Sequence, residues 1–295
     1  MKKLLSCLVL LTLFCISTLS VGVAILFTGY EIHRDVSYGA SDSEVMDIYI
    51  PKEAYGKEAN GCVLFIHGGS WSGGDKREEE LRCRNVASNG YIAATMNYTL
   101  HNEDTQYTYT VEHVLDEIDM ALERIKNFTA ELGINTTRAA TSGYSAGAHL
   151  SMLYSFSRGS SAPLEIKFTA NMAGPADISP DIWGDDLSMR IGSLLSNTDI
   201  TQETLKSGEA DKILDNISPV TYIDANTPPS IFIYGGKDTT VPFGNAESIM
   251  QKFDTVWVQY DFILLPDANH MLIHNIPKRL SYPKLLISYC DKYFS

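Results

Sequence analysis

The sequence predicts an α/β domain in which a mostly parallel central sheet is covered by helices on both faces. Short apolar segments alternate with segments of helical spacing along residues 30–295. Residues 61–67 (GCVLFIH) form a continuous apolar run, which is typical of a strand buried on both faces. The chain also has 44% hydrophobic residues, enough for a sizeable core. Strands that alternate with helices favour a parallel sheet, because a crossover helix joins each parallel pair.

The elements follow in order along the chain. Strands are predicted at residues 31–37, 45–50, 61–67, 90–96, 138–144, 166–172, 230–234 and 256–264. Helices are predicted at residues 75–88, 111–132, 146–156, 245–253 and 278–293. The second strand ends at Pro51, and the helix from Val111 ends at Gly133 after apolar residues at helical spacing.

Residues 174–217 form a long connection of 44 residues between two predicted strands. Short helical pieces such as residues 182–195 lie within it. A connection of this length inside a compact domain is usually functional, so we expect a lid or cap. The alternative is a decorative insertion on the surface.

Residues 1–29 are predicted to be a signal peptide or an N-terminal membrane anchor, and residues 30–295 one folded domain. Residues 4–27 carry no charge and are long enough to span a bilayer. Lys2 and Lys3 keep the N-terminus in the cytoplasm, so the domain is expected outside it. An uncleaved anchor fits the length better than a cleaved leader, which would release a secreted protein. Membrane contact is expected only through this segment.

Charge and cysteine usage exclude several classes of function. The formal net charge of −13 opposes binding to nucleic acid, which needs clustered Lys and Arg. Neither metal-ligand spacing nor a dinucleotide fingerprint occurs, so no metal or cofactor is expected. Cys62, Cys83 and Cys290 follow the leader and could form one disulfide with a free thiol.

A catalytic serine is predicted at Ser145, within the G-x-S-x-G pattern of residues 143–147. The pattern lies between a predicted strand and a predicted helix. In that context the glycines let two backbones pass closely, and the serine oxygen is exposed above the sheet. The helix N-terminus that follows favours negative charge beside it.

Residues 67–71 (HGGSW) predict an oxyanion-binding loop at the end of a buried strand. The backbone N–H groups of Gly68, Gly69 and Ala146 could stabilise the oxyanion of a tetrahedral intermediate. A plain glycine turn is the alternative. Ser70, Trp71 and Tyr144 are the candidate residues of the substrate pocket.

A serine nucleophile needs a base, and the base needs a carboxylate that orients it. Asp238 and His270 each follow a predicted late strand, and we assign them these roles. His274 is the alternative base. Asp267 is a poorer acid because it is too close in sequence to His270. The remaining histidines are predicted to be structural or surface residues, with His149 in the core and His67 supporting the oxyanion loop; the others are His33, His101 and His113.

Several motifs together resemble the α/β-hydrolase superfamily. They are MDIYIP at residues 46–51, HGGSW at 67–71, GDK at 74–76, NY at 97–98, ELGI at 131–134, GYSAG at 143–147 and GKD at 236–238. The resemblance is to the esterase and lipase branch, which includes hormone-sensitive-lipase-like, feruloyl and acetyl esterases and kynurenine formamidases. It implies the α/β-hydrolase fold with a lid-like insertion. Ser70 stands where many relatives have a third glycine, and Thr99 where they usually have arginine.

The resemblance and the motifs predict an enzyme. We expect a serine hydrolase that cleaves small-molecule carboxylic esters of small acyl or aromatic acids through a Ser-His-Asp triad and an acyl-enzyme. An amide hydrolase of the formamidase type is one alternative, because the triad chemistry is the same. A non-catalytic extracellular binding module with this fold is the other.

Overall fold

A single sheet of eight strands organises the chain in a computed structural model that describes residues 29–57 and 60–295. The strands are β1 (Tyr30–Ser37), β2 (Val45–Pro51), β3 (Asn60–Ile66), β4 (Ile92–Met96), β5 (Thr136–Tyr144), β6 (Glu165–Met172), β7 (Ser230–Gly235) and β8 (Tyr260–Leu265). Their order across the sheet is β1-β2-β4-β3-β5-β6-β7-β8. Strand β2 is antiparallel to both neighbours, and all other pairs are parallel. The predicted α/β class with a mostly parallel sheet is confirmed.

Helices cover both faces of this sheet. They are α1 (Glu80–Ser88), α2 (Val111–Glu131), α3 (Ala146–Ser157), α4 (Pro180–Trp183), α5 (Asp185–Ser196), α6 (Gln202–Ser207), α7 (Asp211–Asn216), α8 (Gly244–Val256), α9 (Ile276–Arg279) and α10 (Ser281–Tyr293). Successive residues of β3 enter different hydrophobic clusters: Leu64 packs with α2 and α3, and Val63 with α1 and α10. Alternation across a strand explains why β3 is apolar throughout.

Several predicted element boundaries are wrong. The strand predicted from Val256 begins at Tyr260, because α8 continues to Val256 and Trp257 then adopts a left-handed conformation with φ 59°. The helix predicted over residues 278–293 is two helices that meet at Leu280. The helix predicted from Asp75 starts with a 3-10 turn, Lys76–Glu79, before α1.

The long connection after β6 contains four short helices, α4 to α7. The predicted helix over residues 182–195 is interrupted by Gly184, whose φ of 74° no helix accommodates. Leu195, Ile200 and Leu214 of this segment are buried in the same cluster as α2 and α3. The segment is therefore packed on the domain, and its role as a lid stays a prediction.

The predicted leader, residues 1–28 of the proposed 1–29, lies outside the described residues. Within the part that the structure describes, no helix has both the length and the apolar character that crossing a membrane requires. Cys62, Cys83 and Cys290 are all buried free thiols, so the disulfide considered from the sequence does not form among them.

Candidate active site

Ser145 forms the whole turn between β5 and α3. Its backbone has φ 54° and ψ −121°, a conformation that L-residues adopt only under constraint. Its N–H donates to Met172 O at 2.9 Å, and its carbonyl accepts from His149 N–H at 3.0 Å. A Cβ on Gly147 would lie 2.0 Å from Ile66 O, so only glycine fits there. The sharp turn thus lifts the Ser145 side chain above the end of the sheet.

His270 connects Ser145 to Asp238 through both nitrogens of its ring. Nε2 lies 2.9 Å from Ser145 Oγ, and Nδ1 lies 2.7 Å from Asp238 Oδ2. Because the carboxylate can only accept at Nδ1, the proton sits on Nδ1 and Nε2 accepts from the serine hydroxyl. This is the tautomer in which a histidine can remove the hydroxyl proton.

Asp238 is held in place by the turn that follows β7. Its side chain has no solvent exposure, and Oδ1 accepts the N–H groups of Thr240 at 2.8 Å and Val241 at 2.9 Å. Oδ2 is therefore left for His270. Both oxygens of the buried carboxylate have partners, which a buried charge requires.

The structure separates His270 from the alternative base and acid. His274 is exposed, and the residue that contacts both Ser145 and Asp238 is His270. Asp267 is exposed and pairs with Lys237 at 2.7 Å, an interaction that lowers the pKa of its carboxyl. His274 therefore does not occupy the position of the base, and Asp267 does not occupy the position of the acid.

Tyr144 supports His270 from below. Its hydroxyl donates to His270 O at 2.9 Å, and the two ring centroids are 5.1 Å apart. Burial raises the pKa of Tyr144 to about 12, so the phenol stays protonated and can donate. The structure places this residue beneath the histidine loop, and it is absent from the described wall of the pocket beside Ser145.

The loop after β3 passes directly over the serine turn. A Cβ on Gly68 would lie 3.4 Å from Ser145 Cβ, so this backbone is close to the serine. Gly69 has φ 115°, which favours glycine, and Ser70 and Trp71 are also left-handed with φ 52° and 58°. Ser70, which stands where many relatives have glycine, thus has a backbone conformation that a glycine would adopt with less strain.

His67 and Tyr98 stabilise this loop. His67 Nδ1–H donates to Gly68 O at 2.7 Å. The rings of His67 and Tyr98 stack with their centroids 4.4 Å apart, and the Tyr98 hydroxyl donates to His67 O at 3.1 Å. Burial lowers the pKa of His67, which keeps the ring neutral. The histidine lies at the loop as the sequence predicted.

Four motif residues far apart in sequence form one network behind the loop. Lys76 is buried and its Nζ donates to Asp47, while its N–H donates to Asn97 Oδ1 at 2.7 Å. Asn97 Nδ2 donates to Asp75 Oδ2 at 3.3 Å. The network ties the chain after the loop to strands β2 and β4. It accounts physically for three of the motifs quoted above.

A pocket of about 340 Å³ opens beside Ser145. Its wall combines the loop after β3, helices α4 and α5, and the turn after Asp238; the lining residues are Ser70, Trp71, Ser72, Ser145, Ala146, Pro175, Trp183, Leu187, Arg190, Ile191, Leu194, Thr240 and Val241. Ser70 and Trp71 are thus in the wall. Sequence reasoning missed the residues from α4 and α5, although Trp183, Leu187 and Leu194 repeat at helical spacing.

His149 joins three parts of the site. Its Nδ1 accepts from Trp71 Nε1–H at 3.3 Å, and its Nε2–H donates to Ile217 O at 2.8 Å. Full burial lowers the pKa of His149 to about 4, so the ring is neutral and suited to one acceptor and one donor role. The sequence placed His149 in the core but gave no signal for this link between α3, the loop and the end of the insertion.

Among the described residues, no cluster of three or more His, Cys, Asp or Glu could hold a metal ion. Burial raises the pKa of Cys62, Cys83 and Cys290. These thiols are therefore poor nucleophiles and poor metal ligands at neutral pH.

Comparisons with known proteins agree with this architecture. Esterase LipC of Mycobacterium tuberculosis is 24% identical over 255 residues, which cover 82% of this chain and 60% of LipC. The chain therefore spans less than two thirds of that relative's length. A truncated carbohydrate esterase from gut microbiota superimposes with a TM-score of 0.74 at 17% identity, over 90% of this chain and 98% of that one. A propionate-bound thermophilic esterase from Thermogutta terrifontis superimposes with a TM-score of 0.69 at 18% identity. The match covers 90% of this chain and 96% of that one.

These similarities show that the fold is the α/β-hydrolase fold, as the resemblance implied. The BD-FAE family model matches residues 46–253, which include Ser145 and Asp238 and amount to more than half of the chain. The chain belongs to the BD-FAE family.

Proposed function

We propose that this chain is a serine hydrolase that cleaves carboxylic esters of small acyl or aromatic acids. The observation that carries the proposal is the continuous hydrogen-bonded chain from Ser145 through His270 to the buried Asp238, at the wall of a pocket. The names of the relatives support ester hydrolysis, because LipC and both structural neighbours are called esterases.

In the acylation step, Ser145 Oγ attacks the ester carbonyl while His270 Nε2 takes the hydroxyl proton. The resulting imidazolium is stabilised by Asp238, whose carboxylate keeps its charge. His270 then gives the proton to the alcohol oxygen as the C–O bond breaks. The alcohol leaves, and the acyl group stays on Ser145.

The carbonyl oxygen becomes an oxyanion during this attack. The N–H groups of Gly68, Gly69 and Ala146 are proposed to donate to it, since Gly68 lies against Ser145 and Ala146 begins α3. Removal of one such donor typically costs about 10²- to 10³-fold in kcat.

Deacylation reverses these roles with water as the nucleophile. His270 Nε2 takes a proton from the water, which attacks the acyl carbonyl, and the proton returns to Ser145 Oγ. The acid product leaves, so atoms and charge balance without a cofactor.

The size of the pocket supports short acyl or modest aromatic substrates. Its volume of about 340 Å³ is near the lower end of the range for small-molecule pockets. Trp183 and Leu194 of the inserted segment form part of its wall, which supports the proposal that residues 174–217 act as a cap.

The test is hydrolysis of p-nitrophenyl acetate, butyrate and palmitate, with N-formylkynurenine as the amide substrate. The acetate and butyrate should be cleaved fastest, and Ser145→Ala should abolish turnover of both. Ser157→Ala, at the other end of α3, is the matched control and should retain activity. Activity retained in Ser145→Ala, or faster cleavage of palmitate, would contradict the proposal.

We further propose that the domain acts outside the cytoplasm, anchored by residues 4–27 or released after cleavage. The support is the uncharged length of that segment and the lysine pair before it. Cell fractionation with mass measurement of the mature N-terminus distinguishes the anchored from the cleaved form. Activity confined to the cytosol would contradict export.

A further inference from the structure

Arg190 is the one charged residue among those that line the pocket beside Ser145. The other lining residues are aliphatic, aromatic or hydroxylated, with Trp183 and Leu187 on the same inserted segment. A guanidinium at an otherwise uncharged surface is a directional binding group, because its planar donors match the geometry of a carboxylate.

Arg190 also has no partner within the described chain. No hydrogen bond, ion pair or ring contact joins its guanidinium to any residue in the ranges 29–57 and 60–295, although Asp186 lies one helical turn before it in α5. Such i, i+4 spacing would allow an ion pair. The side chain is exposed to solvent, and it lines the pocket instead.

The charge of the rest of the chain determines how this pocket can attract an anion. The chain has 36 acidic and 23 basic residues, so carboxylates are in excess. Among the described residues, five arginines form ion pairs with them, whereas Arg77 and Arg279 resemble Arg190 in forming none; the paired ones are Arg34, Arg82, Arg84, Arg124 and Arg158. An excess of acid elsewhere repels anions, so any affinity of the pocket for an anion must come from a local cation.

We infer that Arg190 selects esters that carry a carboxylate group. This inference rests on the proposed function and names its substrate class. The ester carbonyl lies at Ser145, a short apolar or aromatic part of the substrate occupies the pocket, and the carboxylate binds the guanidinium. The charge could belong to the acyl part or to the alcohol part of the ester, and the substrates of the test separate the two.

The test compares kcat/KM of the wild type and Arg190→Gln on two matched pairs of esters. The first pair is 4-nitrophenyl hemisuccinate and 4-nitrophenyl butyrate, which differ in the charge of the acyl part. The second is 4-carboxyphenyl acetate and phenyl acetate, which differ in the charge of the alcohol part. Lys206→Gln is the control, because it removes the same charge from an exposed position on the inserted segment outside the pocket wall.

Arg190→Gln should lower kcat/KM for the charged member of one pair by about tenfold, in line with a hydrogen bond to a charged group. The neutral esters should change less than about twofold, and Lys206→Gln should leave both ratios unchanged. In the wild type, the ratio of kcat/KM for the charged ester to kcat/KM for the neutral ester should also fall as the salt concentration is raised, because salt screens the charge on Arg190.

An unchanged ratio in both pairs would overturn the inference, and so would an equal loss on neutral and charged esters. The proposed function fails in a different way, since the wild type would then cleave none of the four esters.

Discussion

The strained turn at Ser145 makes a quantitative prediction about stability. With φ 54° and ψ −121°, its backbone is in a region that favours glycine, and such a residue costs about 1–3 kcal/mol. The hydrogen bonds of its N–H and carbonyl with Met172 and His149 leave the turn no room to relax. Ser145→Gly should relieve the strain, whereas Ser145→Ala keeps the Cβ and therefore the strain.

The difference between the two variants isolates the backbone contribution, because both lose the hydrogen bond to His270. Glycine also loses about 0.5–1 kcal/mol through its greater freedom in the unfolded chain. If relief of strain contributes about 2 kcal/mol and this loss is subtracted, Ser145→Gly should be more stable than Ser145→Ala by about 1 kcal/mol. In a domain of this size that corresponds to a melting temperature about 3 °C higher.

Calorimetry and urea unfolding of the two purified variants measure the difference directly, and neither variant should turn over ester. Ser288, exposed within α10, provides the control with the opposite sign. There Ser288→Gly should be less stable than Ser288→Ala by about 0.5–1 kcal/mol, because glycine is a poor helix former. If Ser145→Gly melts at or below Ser145→Ala while the control behaves as expected, the turn is not strained and the reasoning is refuted.

Three further predictions follow from the site and its supports. His270→Ala and Asp238→Asn should each lower kcat on p-nitrophenyl acetate by about 10⁴-fold and add little to Ser145→Ala, since a triad acts as a unit; a larger loss in His274→Ala would contradict this. The buried His149, whose pKa is lowered from 6.5 to about 4, should cost about 3 kcal/mol of stability as pH falls from 6.5 to 4. The unfolded chain takes up the proton first, so urea midpoints should fall with pH, and an equally steep fall in His149→Gln would contradict the assignment. Gly147→Ala, with its Cβ 2.0 Å from Ile66 O, should destabilise the fold by at least about 2 kcal/mol, whereas Gly159→Ala, at 3.6 Å from Ile166, should not; equal unfolding midpoints would contradict this.

The sequence predicts the sheet well because strands buried on both faces must be apolar throughout. Residues 61–67 illustrate this, since both hydrophobic clusters take side chains from β3. The turn at Ser145 is equally predictable, because close backbone approach leaves glycine as the choice at Gly147. Where the local structure allows only one type of residue at a position, the sequence pattern predicts that structure.

Element boundaries and the short helices of residues 174–217 are less predictable because tertiary packing decides them. Residues 256–258 (VWV) have high strand propensity, yet α8 extends to Val256 and the left-handed Trp257 ends it. Gly184 splits the predicted helix of residues 182–195, because its φ of 74° does not fit a helix. Side-chain direction is harder still: Tyr144 supports His270 and Arg190 lines the pocket, although residue type alone indicates neither.

The central claim is that Ser145 is the covalent nucleophile, and trapping it with a p-nitrophenyl alkylphosphonate tests this most directly. The phosphonate should react once per chain with release of p-nitrophenolate, and peptide mass spectrometry should locate the adduct on Ser145. Ser145→Ala should remain unlabelled, and His270→Ala should react far more slowly, because the hydroxyl then lacks its base. An adduct on any other residue, or labelling of Ser145→Ala at the wild-type rate, would contradict the account.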